Sequence, residues 1–211
     1  LWFVVKNRYI KFNQAGGLGD ILFLEPLSRK YYNDGFKIYW PVFECYYEDL
    51  KRHIPYVDWV IYNPSDNFEV EETIDFARAS HFHNDVKIMQ AKYKLLNLPW
   101  NQWRTFEYKR DIDREKKLIN HLGLDINKPY SLRHITYGTK DSLSGTFTNN
   151  HIPKNENMKT IDIDFIDGYS ILDWSSIIEN AFEIRFVSTC TLYVVEKLEL
   201  INKPKLHLYA R

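Results

Sequence analysis

The sequence predicts an α/β protein built as two Rossmann-like lobes, each with a parallel sheet, facing one another across a cleft. Three observations carry that prediction. From Tyr9 to Ile61 strand-like and helix-like runs alternate as β-loop-α-β-α-β, the order of a parallel sheet with right-handed crossovers. A strand breaks off into a polar loop and restarts as a helix once in each half, at Gln14–Asp20 and at Ser188–Thr191. The 211 residues are enough for two domains of about 100 each. The boundary is placed near Arg104, giving lobes over residues 1–104 and 105–211.

In the first lobe, Tyr9–Phe12 reads as a strand that ends in Gln14-Ala15-Gly16-Gly17-Leu18-Gly19-Asp20. A glycine-rich stop between strand and helix presents bare backbone N–H groups at the positive end of the helix. Ile21, Leu24, Leu27 and Tyr31 continue at helical spacing, with Pro26 expected to kink or shorten the helix and Asn33-Asp34-Gly35 to end it. Lys37–Val42 and Tyr56–Ile61 read as strands, with a short helix over Phe43–His53 between them and a loop over Asn63–Asn67 after them. Val86, Met89, Tyr93 and Leu96 form one apolar face of a helix over Asp85–Leu96.

The second lobe opens with a helix through Leu118, Ile119 and Leu122, stopped by Gly123. A strand over Tyr130–Tyr137 and a polar loop over Gly138–Ser142 follow, then a long loop over Ser144–Asn157. Ile161, Ile163 and Phe165 alternate with Asp162 and Asp164, as in a half-buried strand. Asp173 is placed as the N-cap of a helix whose inward stripe is Trp174, Ile177, Ile178, Ala181 and Phe182. Ile184–Val187, a helix from Thr191 to Leu198, and a strand over Lys205–Tyr209 complete the chain.

Composition excludes some partners. Lys+Arg and Asp+Glu each number 28, so no basic field recommends a nucleic acid. No apolar run approaches the ~20 residues that span a bilayer, and Leu1–Val5 is too short for a signal-peptide core. Cys45 and Cys190 are far apart and read as ordinary thiols of a reduced, cytoplasmic compartment. Oligomeric state leaves no mark in the sequence.

Several segments resemble one family. Gly16-Gly17-Leu18-Gly19-Asp20-Ile21-Leu22, with Pro26, resembles the G-x-L-G-D-x-L motif that opens the heptosyltransferases (glycosyltransferase family 9). Ile54–Ile61 looks like their P-Y-V-D-x-V-I strand, and Ala91–Pro99 is similar to the segment before their interdomain linker. Tyr169–Ala181 is similar to a helix of their second lobe, and Phe186–Tyr193 stands where they carry a D-S/T-G-x-x-H donor loop. Ser188, Cys190 and Tyr193 replace the Asp, Gly and His of that loop. A strand-helix unit is missing between Gly138 and Lys159, and the chain stops at Arg211, where members continue into another helix. The description that fits is a short relative, of phage or viral kind, with GT-B-like architecture and a reduced second lobe.

The resemblance implies a metal-independent glycosyltransferase of glycan biosynthesis, with no cofactor. It would move a sugar from a nucleotide-sugar donor to an acceptor hydroxyl, with inversion. Asp20 matches the family's general base, and Gly16, Gly17, Leu18 and Gly19 would form the acceptor wall. A leaving diphosphate needs a helix N-terminus with hydroxyl or ammonium donors. Ser188, Thr189, Cys190 and Thr191 offer these, as do Thr136, Gly138, Thr139 and Lys140, while Glu196 is placed to reach a ribose hydroxyl.

Each assignment has a plainer counterpart. Asp20 also suits a helix cap, the glycines a tight turn, the Ser188 loop an N-cap, and Glu196 a solvated surface beside Lys197. His81, His83 and Asp85 supply three metal ligands with no fourth nearby, and otherwise read as an acceptor contact or a surface loop. Asp162-x-Asp164 copies a metal-binding D-x-D but fits strand alternation better. The glycine loop is not G-x-G-x-x-G and no acid ends the second strand, which argues against a dinucleotide enzyme. A catalytically eroded module that binds nucleotide or glycan is the other reading that the donor-loop replacements support.

Overall fold

The computed structural model describes residues 8–83, 85–138, 146–203 and 205–210. Leu1–Val5, Thr139, Lys140, Asp141 and Ser142, which figure in the sequence reading, lie outside the described residues. The chain divides into two compact units between Glu107 and Tyr108. Both are α/β with parallel sheets, as the strand-helix alternation predicts.

In the first unit four strands lie side by side: β1 (Tyr9–Phe12), β2 (Lys37–Val42), β3 (Asp58–Ile61) and β4 (Glu72–Ile74). The order across the sheet is β3-β2-β1-β4, all parallel. Five consecutive buried residues in β2 mark a central strand covered on both faces. Pro41 has no N–H to give, and it lies beyond the β1–β2 pairing, which ends at Lys11↔Tyr39. β3 begins two residues later than the sequence suggests because Tyr56 is diverted. Its hydroxyl donates to Glu25 Oε1 at 2.8 Å and pairs with the Ser28 hydroxyl at 2.8 Å. β4 escapes sequence reading altogether: it is three residues long, with two exposed and only Ile74 buried.

Helix α1 (Leu18–Asn33) continues through Pro26, which does not shorten it. Pro26 lies inside an unbroken stretch of buried residues, Ile21 to Ser28. An interior proline costs a helix ~3 kcal/mol or more; burying Ile21, Leu22, Phe23, Leu24 and Leu27 offsets that at roughly 1.5–3 kcal/mol each. Asp34 and Gly35 (φ 88°) end the helix where expected. α2 (Glu44–His53) links β2 to β3. The helix anticipated over Asp85–Leu96 is shorter, α4 (Ile88–Lys94), and a single turn, α3 (Ala79–Phe82), precedes it. The buried face of α4 is Ala91, Lys92 and Tyr93, not the stripe of Val86, Met89 and Leu96, which stays half-buried. A lysine inside the core is the part that apolar periodicity cannot anticipate.

The second unit opens with α5 (Ile112–His121), capped by the Asp111 side chain, which accepts from the Arg114 N–H at 3.1 Å. Next come β5 (Tyr130–His134), β6 (Thr136–Gly138), β7 (Thr146–Thr148) and β8 (Lys159–Asp162). After these lie α6 (Ser175–Asn180), β9 (Glu183–Val187), α7 (Thr191–Lys197) and β10 (Leu206–Tyr209). β10-β9-β5-β8 form a parallel sheet around the fully buried β5.

The strand anticipated over Tyr130–Tyr137 is broken in two, because the second part leaves the sheet. β6 pairs antiparallel with β7, Thr136 opposite Thr148, so part of the expected long loop is a hairpin. Among the described residues no helix joins β5 to β8. Alternation holds for Ile161 to Asp164 but Phe165 is exposed. Ser170, not Asp173, is the N-cap, of a 3-10 turn over Ile171–Trp174 that leads into α6. Asp173 returns the bond to the Ser170 N–H at 2.9 Å, closing a capping box. Phe182 falls off the inward stripe and is exposed, since the chain turns extended at Ala181.

Glu183, at the start of β9, sets one acid sensitivity of this unit. Burial alone would raise its carboxyl, but hydrogen bonds from Asn155 (2.8 Å), Arg185 (2.9 Å) and Ser131 (2.9 Å) bring it down to about 2. A depressed carboxyl contributes stability above its unfolded value of 4.5, and the contribution is lost as pH falls toward 2. Urea titrations of the second unit at several pH values are expected to show this loss, and Glu183→Gln is expected to flatten it. An unchanged acid slope in the variant contradicts the assignment.

Candidate functional site

In open parallel sheets, ligands bind beyond the carboxyl ends of the strands, where the strand order reverses. In the first unit that place lies between β1 and β4, and the glycine loop occupies it. Asn13 ties the two strand ends together: its N–H donates to Ile74 O (2.9 Å) and its side-chain amide to Asp75 Oδ1 (2.9 Å).

Each carbonyl from Asn13 to Gly17 has a hydrogen-bond partner. Asn13 O accepts from the Ala77 N–H (3.1 Å), Gln14 O from the Trp40 indole (2.9 Å) and Ala15 O from the Phe43 N–H (2.9 Å). Gly16 O accepts from the Gln14 side-chain amide (2.7 Å), and Gly17 O from the Ile21 N–H (3.1 Å). By contrast, no backbone N–H from Gln14 to Asp20 donates to any described residue. Five partnered carbonyls and seven N–H groups that donate to no described residue leave the loop able to bond an acceptor atom. The loop itself is half-exposed throughout.

Gly17 is the position where only glycine fits. It caps α1 with φ 75°, and a Cβ there would sit 2.6 Å from Asp20 Oδ2. Asp20 is therefore not the cap. It lies in the first turn of α1, folded back over Gly17. Its other oxygen, Oδ1, accepts from Lys92 Nζ at 2.7 Å, and the same ammonium donates to Gln14 Oε1 at 2.9 Å. Lys92 is 3% exposed. Burial pushes its ammonium below the usual lysine range, and the Asp20 carboxylate counteracts part of that. Asp20 itself remains open to solvent at 36% side-chain exposure.

In the second unit the strand order reverses between β5 and β9. His134 ends β5 and residues 188–191 follow β9, so the predicted donor loop does occupy the switch point. His134, which sequence reading passed over as an interior strand residue, is 8% exposed. Its Nδ1 lies 2.5 Å from Thr191 Oγ1 and 3.3 Å from Thr189 Oγ1. The two threonines are buried, whereas Ser188 and Cys190 are half-exposed. Tyr193, standing where the resemblance places a histidine, is also buried. The signal in sequence would have been a histidine closing an apolar strand just before a polar loop.

Burial lowers the His134 imidazole from 6.5 to about 4, against a weaker upward pull from Asp164. The ring is neutral near pH 7 and serves as a hydrogen-bond partner for hydroxyls. A depressed histidine contributes stability that is full above 6.5 and lost as pH falls to about 4. The expected loss, on the order of 3 kcal/mol, precedes that of Glu183 on acidification. Denaturant midpoints of His134→Gln, flat between pH 6.5 and 4 where the native chain weakens, are the check.

The remaining predicted donor residues are dispersed. Thr136 and Gly138 belong to the β6–β7 hairpin, Thr139 and Lys140 lie outside the described residues, and Glu196 is half-buried on the last turn of α7. His81 closes α3 and is exposed, while Asp85 is paired with Lys94 at 2.5 Å. Among the described residues no three His, Cys, Asp or Glu side chains gather as a metal site, and no helix is long and apolar enough to cross a membrane. Asp162 is engaged by Arg133 at 2.6 Å, a structural pairing across the β5–β8 ladder. A depression of about 400 Å³ lined by Gln90, Lys94, Leu98 and Trp100 lies on α4 away from Lys92, and contains none of the predicted site residues.

No family model matches the chain, and no curated protein does. Among solved structures, the chain is similar to a glycosyl transferase family 9 protein from Veillonella parvula DSM 2008. That similarity has 8% sequence identity and a TM-score of 0.45, covering 97% of this chain and 86% of that one.

Proposed function

We propose that the chain is a metal-independent glycosyltransferase in which the first unit receives the acceptor and the second the nucleotide-sugar. The observation that supports this reading is a run of seven backbone N–H groups that donate to no described residue, beside a partly exposed carboxylate at one sheet switch point. A hydroxyl is at once an acceptor and a donor. Its oxygen takes an N–H of the Gln14–Asp20 stretch, and its proton faces Asp20. In the reaction the acceptor oxygen bonds to the anomeric carbon as the bond from that carbon to the diphosphate oxygen breaks. The hydroxyl proton passes to Asp20, and the nucleoside diphosphate leaves. Attack opposite the leaving group gives inversion. The Ser188 and Cys190 stretch, at the second switch point, is the seat assigned to the diphosphate.

The test is nucleotide release from a panel of nucleotide-sugars, with and without EDTA, in the presence of glycan and simple alcohol acceptors. Release that persists in EDTA supports the reading. Binding of a donor with no release under any acceptor supports a second reading, an eroded module that holds nucleotide or glycan without turnover. One observation favours that second reading: the Thr189 and Thr191 hydroxyls are spent on His134 instead of being presented outward.

A further inference from the structure

Lys92 is an expensive residue. Burying an ammonium carries a desolvation penalty that its partner need not repay, and a well-packed apolar side chain is often as good for stability. What an apolar side chain lacks is direction. The Lys92 ammonium reaches both ends of the glycine loop at once, Gln14 at the start (2.9 Å) and Asp20 in the first turn of α1 (2.7 Å). Gln14 passes the constraint on, because its amide nitrogen donates to Gly16 O at 2.7 Å. The lysine is itself held: the next residue, Tyr93, is fully buried and donates its hydroxyl to Phe23 O at 2.7 Å, fixing α4 against α1.

We infer that Lys92 is the positioning residue of the glycine loop, clamping Gln14 and Asp20 so that Asp20 Oδ1 is occupied and Oδ2 is the oxygen left to meet a hydroxyl. Its catalytic consequence rests on the glycosyltransferase reading; its structural consequence does not. Without the clamp, Asp20 is free to swing out from Gly17, and the bonded carbonyls lose the tie that sets the loop. Preorganised polar groups work only if their supports hold them to within a fraction of an ångström.

The experiment uses the full chain with Lys92→Met and Lys92→Arg. Four protons report whether the loop carbonyls stay in place: the Trp40 indole N–H and the Ile21, Phe43 and Ala77 amides, each bonded to a loop oxygen. The Trp59 indole N–H, bonded to Ile54 O at 2.8 Å, is the control within the same unit. In Lys92→Met, hydrogen exchange at the reporters is expected to accelerate about tenfold or more while Trp59 holds its rate. Lys92→Arg is expected to keep most of the protection. With an active donor–acceptor pair, Lys92→Met is expected to lower kcat by roughly 10²-fold and leave KM nearly unchanged, with Arg restoring part of the loss.

Unchanged exchange at the reporters overturns the inference. So does acceleration of Trp59 in step with them, which makes Lys92 a packing residue. If the native chain turns over no donor, the functional reading fails alone, and the exchange data still decide the role of Lys92.

Discussion

Asp20→Asn is expected to lower sugar transfer by about 10²–10⁴-fold while leaving donor affinity within a few-fold of the native value. The substitution keeps the shape of the side chain and an oxygen for Lys92, now 2.7 Å from Oδ1, so the loop has no reason to move. What disappears is the capacity to take a proton from the acceptor hydroxyl. The measurement is kcat/KM for nucleotide release beside donor binding by calorimetry. Turnover of Asp20→Asn within threefold of native excludes Asp20 as the base, and the clamp around it then serves structure alone.

Trp40→Ala is expected to destabilise the first unit by about 3–5 kcal/mol. Trp40 is 0% exposed and packs against Phe12 (ring centroids 4.9 Å) and Trp59 (5.0 Å) in the sheet's interior. Truncation leaves a cavity at the central strand and also strips Gln14 O of its indole donor. Trp40→Phe separates the two effects. It keeps one ring in the core and loses the hydrogen bond with a smaller share of the volume, with an expected cost of about 2 kcal/mol. Because the chain has two compact units, the loss is best read from hydrogen exchange on the β1–β2 ladder, not from one global midpoint. A cost of Trp40→Ala below about 1 kcal/mol means that the core around the glycine loop is not packed as described.

Acid titration of the second unit and the exchange test on Lys92 address different links of the same chain. The first asks whether burial of His134 and the hydrogen bonds to Glu183 act as the geometry demands. The second asks whether a buried charge is there for direction more than for stability.

Local pattern was enough for the elements that bury apolar side chains at a regular period. β1, β2, α2 and β9 are close to their predicted bounds, because alternation in strands and helical spacing are set by backbone geometry alone. A glycine turn between β1 and α1 was legible too, but only the structure shows that Gly17 is the one of the three with a positive φ. Features decided by partners distant in the chain were not legible. Pro26 survives inside α1 because of what surrounds that helix, and Tyr56 left its strand for Glu25, 31 residues away. Phe182 lost its place on a stripe once the chain turned extended at Ala181.

By itself, the sequence determined the α/β alternation, the two strand-to-helix switches and the glycine-rich character of one of them. Only the tertiary structure decided which polar groups meet there. Lys92 comes from 72 residues beyond Asp20, and His134 from 57 before Thr191. A hydrogen bond needs two groups within about 3 Å of each other, and that distance is a property of the folded packing, which periodicity along the chain does not encode.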